Sequence, residues 1–197
     1  MDTAIGIVLF DDVEELDFVG PWEVFGMAAK ERPELKPFTV AERPGLVKCA
    51  KGLRVIADYS FADAPKIDVL LVPGGQGTRR EVSNGPMIDW IRSVTPGCRW
   101  VTSVCTGSLL LVEAGAARGK NVTTHWGFVE TLRQRGDATV HDDVRFVRDG
   151  NVVSSAGVSA GIDMALWLVG QLYDPAFARH VQRRIQYEPA PPYTAAA

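Results

Sequence analysis

The 197-residue sequence predicts an α/β domain built on a mostly parallel sheet with helices on both faces. Three observations lead to this fold class. Short, continuously apolar runs of strand length recur, as in residues 4–10 and 68–72. Helical patterns separate these runs along the chain. No internal repeat or linker divides the sequence, so we expect one domain over residues 1–197.

The first half of the chain alternates strands and helices. Residues 4–10 predict a central strand, and residues 11–17 predict a polar connection after it. Gly20-Pro21 predicts the start of a helix that runs to about Lys30, because proline is favourable in the first turn. Further strands are predicted at residues 38–41, within 47–57 around the Lys51-Gly52 turn, and at 68–72.

The second half continues this alternation and adds a hairpin. Arg148-Asp149-Gly150-Asn151 predicts a tight turn between strands at 144–147 and 152–155. The Pro-rich tail from about residue 188 predicts an extended segment. The other predicted elements are a helix at 86–95, a strand at 99–104 followed by a helix, a strand at 122–124, and helices at 126–135, at 157–173 and from Asp174-Pro175.

Composition excludes several classes of function. The formal net charge is −3 without a basic block, which argues against nucleic-acid partners. No apolar run reaches membrane-spanning length, and the N-terminus lacks a signal-peptide pattern, so a cytoplasmic protein is expected. Three cysteines cannot all pair, and neither they nor the three histidines have metal-ligand spacing. We therefore expect no metal and no other cofactor.

Cys105 is the leading catalytic candidate. It follows an apolar strand and precedes small residues and an apolar helical pattern, so it lies at the apex of a strand–turn–helix. A helix start favours the thiolate, which would lower the pKa of the thiol. The alternative is a small buried apolar residue. Cys49 and Cys98, each near an expected surface bend, are predicted to be passive.

Three backbone or small polar groups are expected beside this thiol. Gly74 and Gly75 follow the strand at 68–72, and their amides could stabilise an anion together with the amide of Thr106. The alternative for this Pro-Gly-Gly segment is a simple turn.

An aspartate and a histidine complete the candidate set. Asp17 lies among apolar residues, and partial burial would raise its pKa and suit it to proton transfer. Its alternative role is to cap the helix before Pro21. His125 either acts near the thiol or has its ring satisfied by backbone. Glu14 and Glu15 are predicted to be solvated.

Several motifs resemble the DJ-1/PfpI superfamily, and within it the isocyanide hydratase branch. They are Phe10-Asp11-Asp12-Val13, Leu16-Asp17, Gly20-Pro21, Pro73-Gly74-Gly75, Val104-Cys105-Thr106-Gly107-Ser108, Thr123-Thr124-His125-Trp126, Ser159-Ala160-Gly161-Ile162-Asp163 and the tail from Gln186 to Pro192. The resemblance implies a flavodoxin-like sandwich related to class I glutamine amidotransferases, a homodimer and a small-molecule substrate. It assigns Cys105 as nucleophile, Asp17 as the nearby carboxylate, Thr106 as the turn-shaping neighbour, Gly75 as an amide donor and His125 to the pocket.

The resemblance also implies a reaction, the hydration of an isocyanide to an N-substituted formamide through a thioimidate on Cys105. Amidase-like and protease-like members carry histidine directly after the cysteine, whereas this chain has Thr106, which disfavours a peptidase. The acid, often glutamate in the superfamily, is Asp17 here. The alternatives are a glyoxalase-type activity on α-oxoaldehydes that uses His125, a ligand sensor like the N-terminal domains of AraC-type regulators, and redox sensing by Cys105. The sensor alternative is weakened because no helix-turn-helix follows Tyr193.

Overall fold

A computed structural model describes residues 2–188 and contains the predicted mostly parallel sheet. The strands are β1 (Thr3–Leu9), β2 (Leu35–Ala41), β3 (Leu46–Lys48), β4 (Arg54–Ile56), β5 (Tyr59–Ser60), β6 (Val69–Val72), β7 (Trp100–Val104), β8 (Asn121–Thr123), β9 (Thr139–His141), β10 (Phe146–Asp149) and β11 (Val152–Ser155). Seven strands form the central sheet in the order β10-β11-β7-β6-β1-β2-β5. Only β10 is antiparallel to its neighbour there.

Helices accompany this sheet, and all of those described except α5 fall into two groups. They are α1 (Glu15–Glu31), α2 (Thr78–Glu81), α3 (Gly85–Val94), α4 (Gly107–Glu113), α5 (Val129–Gln134), α6 (Ala160–Leu172) and α7 (Pro175–Arg184). One group is formed by α1, α6 and α7, which contact one another, and the other by α2, α3 and α4. Every residue of β6 and β7 is buried, as expected for strands covered on both faces. The predicted fold class is confirmed.

Helix α1 starts earlier than the sequence predicted. It begins at Glu15, so Pro21 is its seventh residue and not part of its first turn. The prediction of a polar connection over residues 11–17 is therefore wrong for residues 15–17, which belong to α1. The buried residues of α1 recur at helical spacing and include Asp17 among apolar neighbours. Burial of this stripe against the sheet and α6 outweighs the hydrogen bond that the proline removes.

Other differences concern short segments and helix ends. Helix α6 begins at Ala160, not at Gly157, because Gly157 and Val158 have positive φ values of 155° and 48° that a right-handed helix does not accept. The sequence did not predict α2, β5 or β9, each of four residues or fewer and too short for a periodic signal. The predicted hairpin is confirmed as β10–β11, and the short strands predicted around the Lys51-Gly52 turn pair antiparallel as β3–β4. Of the predicted tail, residues 189–197 lie outside the described part of the chain.

Strand register brings the loops of interest to one edge. Val72 of β6 pairs with Ser103 of β7, and Ser155 of β11 pairs with Val104. The three strands therefore end side by side, and the segments after them meet beyond their carboxyl ends, where open α/β sheets place ligands. Within residues 2–188, no helix is long and apolar enough to cross a membrane.

Candidate active site

Cys105 lies at a strained turn between β7 and α4. Its φ is +55°, a conformation that costs a residue with a side chain of order 1–3 kcal/mol. Hydrogen bonds hold the backbone there: the Cys105 amide donates to Ser155 O at 3.0 Å, and its carbonyl accepts from Thr124 Oγ1 at 3.0 Å and from Ser108 Oγ at 3.1 Å. The predicted strand–turn–helix is thus present, with the thiol at its apex.

Asp17 is fully buried and faces this turn from α1. Its Oδ2 accepts from the Gly74 amide at 2.9 Å, and its Oδ1 accepts from the Val158 amide at 3.0 Å. Burial raises the pKa of Asp17 to about 7, and the charge of Glu14 adds to the rise, although both amides and the Cys105 thiol act to lower it. The predicted rise in pKa is confirmed, and the carboxyl does not cap its own helix.

The two glycine amides are already engaged. The Gly74 amide holds Asp17, and the Gly75 amide donates to Thr106 Oγ1 at 3.1 Å. In this structure they do not line an empty anion site, in contrast to the expectation from the sequence. Side chains are excluded here, because a Cβ on Gly74 would lie 2.5 Å from the Thr106 nitrogen. The Pro-Gly-Gly segment therefore fixes the aspartate and the threonine beside the thiol.

The environment of the Cys105 sulfur does not favour the thiolate. Burial and the nearby Asp17 carboxylate raise the pKa of the thiol to about 12, and hydrogen bonds from the amide and hydroxyl of Thr106 only partly oppose this. The expected lowering by the helix start is wrong, because desolvation and a neighbouring negative charge exceed it. Around neutral pH the pair therefore keeps a protonated thiol beside a carboxyl group poised to exchange its proton.

His125 lies across Gly157 from the thiol. Its Nδ1 accepts from the Gly127 amide at 3.2 Å, which caps a short 3₁₀ turn over Trp126–Phe128. A Cβ on Gly157 would meet His125 Cδ2 at 3.2 Å and Cys105 Sγ at 3.5 Å. Backbone therefore satisfies one ring nitrogen, and glycine is required where the chain passes between the histidine and the sulfur.

A cavity of about 410 Å³ is lined in part by Gly157, the residue that lies between His125 and the Cys105 sulfur; Cys105 itself does not line it. Its inner wall contains Thr124, His125, Gly157 and Val158, and its outer rim carries Trp126, whose side chain is 83% exposed. The cavity is large enough for a small organic molecule, and the exposed indole offers it a flat apolar surface.

Sequence reasoning missed several residues that support the site. Val158 has a φ of +48°, rare for a β-branched residue, and this conformation turns its amide toward Asp17. Fully buried Thr78 contacts Thr106. No local signal identifies either one, since their roles arise from distant parts of the chain. Glu14 and Glu15 were predicted to be solvated, but both are half-buried: Glu15 accepts from the Lys51 amide of the β3–β4 turn, and Glu14 pairs with the Lys51 side chain.

A metal site would require several of the other titratable groups of the described residues to lie close together. Among residues 2–188, no group of three or more histidine, cysteine, aspartate or glutamate side chains lies close enough to hold an ion. Cys49 and Cys98 are free, like Cys105. Both are buried, in contrast to the surface bends expected for them, and burial raises the pKa of each thiol to about 11.

Comparison with known proteins identifies the family of this chain. The model of the DJ-1/PfpI family matches residues 3–171. The chain belongs to the DJ-1/PfpI family. A crystal structure of a ThiJ/PfpI family protein from Pseudomonas syringae superimposes with a TM-score of 0.90 at 31% identity, covering 100% of this chain and 80% of that one.

Relatives within the family differ in what their names describe. The isonitrile hydratase of Pseudomonas putida is 39% identical over 193 residues, which cover 98% of this chain and 82% of that protein. The HTH-type transcriptional regulator CdhR of Pseudomonas aeruginosa is 29% identical over 93% of this chain and only 55% of its own length. Family membership alone therefore does not choose between an enzyme and a sensor.

Proposed function

We propose that this DJ-1/PfpI protein is a hydro-lyase that converts an isocyanide to an N-substituted formamide, with Cys105 as nucleophile and Asp17 as proton carrier. The observation that carries the proposal is the buried Asp17 carboxyl, whose pKa is raised to about 7 beside the Cys105 thiol. Similarity to an isonitrile hydratase at 39% identity supports the same reaction.

The first step adds the thiol across the terminal carbon of the isocyanide. The Asp17 carboxylate accepts the Cys105 proton as the sulfur forms a bond to that carbon. The electron pair that develops on the carbon then takes the same proton from Asp17. The product is a thioimidate, in which the carbon is bonded to sulfur, to hydrogen and, through a double bond, to nitrogen. One proton is moved and none is lost.

The second step releases the formamide. Asp17, again a carboxylate, accepts a proton from a water molecule as its oxygen attacks the thioimidate carbon. The nitrogen takes this proton from Asp17, and the carbon–sulfur bond then breaks as the remaining hydroxyl proton passes through Asp17 to the sulfur, which restores the thiol. Overall one water is consumed for each isocyanide. Little charge accumulates on the substrate, so the reaction does not require an empty anion site formed by Gly74 and Gly75.

The cavity beside Gly157 fits the substituent on the isocyanide nitrogen. Its lining includes Gly157, next to the sulfur, and the exposed Trp126, so an apolar group bound there would contact the indole. An aryl substituent would stack or make edge contacts with the indole. We therefore propose aryl and bulky alkyl isocyanides as the substrate class.

The experiment that tests the proposal follows turnover of p-nitrophenyl isocyanide by absorbance. Wild-type protein should form the formamide, and Cys105→Ala should be inactive. Asp17→Asn should lose about 10²- to 10⁴-fold in rate, because general acid–base catalysis contributes on this scale. Absence of turnover by the wild type with several isocyanides would refute the reaction.

A matched control is available in Cys98. This cysteine is also buried, but its sulfur contacts the Ile67 and Val94 carbonyls, away from the turn. Cys98→Ala should retain wild-type turnover. Equal losses in the Cys98 and Cys105 variants would mean that removing any buried thiol inactivates the protein, which would contradict the assignment.

The second candidate is a glyoxalase-type activity on α-oxoaldehydes. The observation that favours it is the position of His125 across Gly157 from the sulfur. With Nδ1 bonded to Gly127, only Nε2 is left to move a proton between carbons. Turnover of methylglyoxal that His125→Ala abolishes, without isocyanide turnover, would favour this activity. Tight ligand binding without turnover of either substrate would favour a sensor.

We also propose that the protein is a cytoplasmic homodimer. Three apolar side chains of the β3–β4 hairpin, Leu46, Leu53 and Ile56, are 60%, 45% and 72% exposed, which fits a surface that a second copy covers. Light scattering should give twice the mass of the 21.4 kDa chain. A monomeric mass at micromolar protein concentration would contradict the dimer.

A further inference from the structure

The two residues that connect β11 to α6 beside the thiol, Gly157 and Val158, are held at both ends by Arg145. On the β11 side, the Arg145 carbonyl accepts from the Ala156 amide at 2.9 Å, which extends the β10–β11 ladder by one step. On the α6 side, Arg145 Nη2 donates to Ser159 Oγ at 3.2 Å. Only Gly157 and Val158 lie between these two fixed points.

Asp163 provides a second attachment between Arg145 and α6. Arg145 Nε donates to Asp163 Oδ2 at 2.5 Å, and Asp163 lies in the first turn of α6. The other carboxylate oxygen, Asp163 Oδ1, accepts from the Tyr187 hydroxyl at 2.9 Å. An arginine fork holds such a pair of acceptors in a fixed geometry. The guanidinium therefore fixes the start of α6 at two points, Ser159 and Asp163.

The backbone of the connecting residues is strained and directed at the site. Gly157 and Val158 have φ values of 155° and 48°, and the second is rare for a β-branched residue. Such conformations persist only where the surrounding contacts over-determine them. In this conformation the Val158 amide donates to Asp17 Oδ1 at 3.0 Å. The attachments to Arg145 thus hold the ends of a segment whose strain aims one amide at Asp17.

We propose that Arg145 is a positioning residue that holds the Val158 amide against the Asp17 carboxyl. Without the guanidinium, the start of α6 loses both attachments, and the Val158 backbone relaxes toward a negative φ, which turns its amide away. Asp17 then keeps only the hydrogen bond from the Gly74 amide. The inference rests on the proposed function for its meaning in catalysis, since Asp17 is the proton carrier there.

Hydrogen exchange of the Val158 amide, followed by NMR of ¹⁵N-labelled protein, tests this without any substrate. At about pH 8 the Asp17 carboxyl, with its pKa of about 7, is mostly ionised. Arg145→Met should speed exchange of this amide at least about tenfold, the size expected for loss of one hydrogen bond to a charged group. Arg145→Lys keeps the charge but lacks the planar fork, so most of the protection should be lost there as well.

The pKa of Asp17 provides a readout that a merely structural role would not move. The Val158 amide lowers this pKa, so its withdrawal in Arg145→Lys should raise the pKa by about one pH unit. Titration of ¹³C-labelled aspartate carboxyl groups by NMR measures the change. The signal of Asp17 is assigned by its absence in Asp17→Asn.

Three other titratable groups lie near enough to affect Asp17. They are the Cys105 thiol on the β7–α4 turn, Glu14 before α1 and Lys51 in the β3–β4 turn. The hydrogen bonds that Arg145 makes to Ala156, Ser159 and Asp163 involve none of the three. Because lysine also keeps the positive charge at position 145, a raised pKa reports the loss of the backbone amide.

Arg148 is the matched control. It is also an exposed arginine of β10, but its Nε donates to Gly150 O at 3.0 Å in the hairpin turn and not to the start of α6. Arg148→Met should therefore keep the wild-type exchange rate of the Val158 amide. The Cys105 amide, which donates to Ser155 O at 3.0 Å, should stay protected in every variant.

Four outcomes would overturn the inference. They are wild-type exchange of the Val158 amide in either Arg145 variant, an equal acceleration in Arg148→Met, an equal acceleration at the Cys105 amide, and a pKa of Asp17 that does not rise. Absence of isocyanide turnover would refute the proposed function, but it would leave the exchange and titration results unchanged. The two failures are therefore distinguishable.

Discussion

Burial of Asp17 predicts that stability falls as the pH rises. The pKa of this carboxyl is 3.8 in its unperturbed state and about 7 in the folded protein, mainly because burial disfavours the charge. Between these values the folded state keeps a proton that the unfolded state has released. The contribution is fully present below about pH 4 and is lost as the pH approaches about 7. A difference of one pKa unit between the folded and unfolded states changes the free energy of unfolding by about 1.4 kcal/mol. The difference of about three units for Asp17 therefore corresponds to about 4 kcal/mol.

Urea unfolding of the wild type and Asp17→Asn over this pH range measures the effect. The amide in the variant does not titrate, and its poorer fit to the Gly74 and Val158 amides adds a penalty that does not vary with pH. The difference in free energy of unfolding between the two proteins should therefore shift by about 4 kcal/mol from about pH 4 to about pH 7, in favour of the variant.

Cys98→Ala provides the control for this measurement. The pKa of the Cys98 thiol is raised to about 11, so this buried group stays neutral throughout the window and the variant should keep the wild-type slope. A difference between wild type and Asp17→Asn that varies by less than about 1 kcal/mol would refute the reasoning, because it would mean that the carboxyl is ionised in the folded state at acidic pH.

Three further predictions concern activity. With one proton on the Asp17–Cys105 pair required, kcat/KM for the isocyanide should fall about tenfold per pH unit below about 7, and a flat pH profile would contradict this. Gly157→Ala should slow alkylation of Cys105 by iodoacetamide about tenfold, because the new Cβ would lie 3.5 Å from the sulfur at a backbone φ of +155°. Gly26→Ala is the control, since a Cβ there meets open space, and equal alkylation rates in the two variants would refute the steric argument. Trp126→Ala should lower kcat/KM for an aryl isocyanide about tenfold but leave a small alkyl isocyanide unaffected, and equal losses would exclude a role in selectivity.

The sequence predicts the strands of the sheet well. The apolar runs of β1 and β6 are typical of strands covered on both faces, and β7 is buried throughout although it includes Thr102 and Ser103. The abrupt change from strand to helix at Cys105 likewise predicts the turn. Its φ of +55° follows from this sharp reversal.

The environment of Asp17 was only partly predictable. Its apolar neighbours correctly indicated burial, but the proline at position 21 obscured the helix that contains it. The spacing of its buried residues, including Phe18, Val24 and Phe25, was a usable signal, since they share one face at helical period.

The positions of Val158 and Thr78 in the site depend on contacts between residues that are far apart in the sequence. Val158 bonds to a residue 141 positions away, and Thr78 contacts a hydroxyl 28 positions away. Neither contact leaves a local pattern. The raised pKa of Cys105 was also not predictable from the turn alone, because it depends on burial and on the charge of Asp17.

The most direct test of the account is the mass of Cys105 during turnover. Wild-type protein mixed with p-nitrophenyl isocyanide and quenched in acid should carry the mass of one intact isocyanide on the tryptic peptide that contains Cys105, as expected for an addition without a leaving group. The adduct should disappear as the formamide is released. Formamide production by Cys105→Ala, or turnover by the wild type with the adduct on another residue, would contradict the central claim.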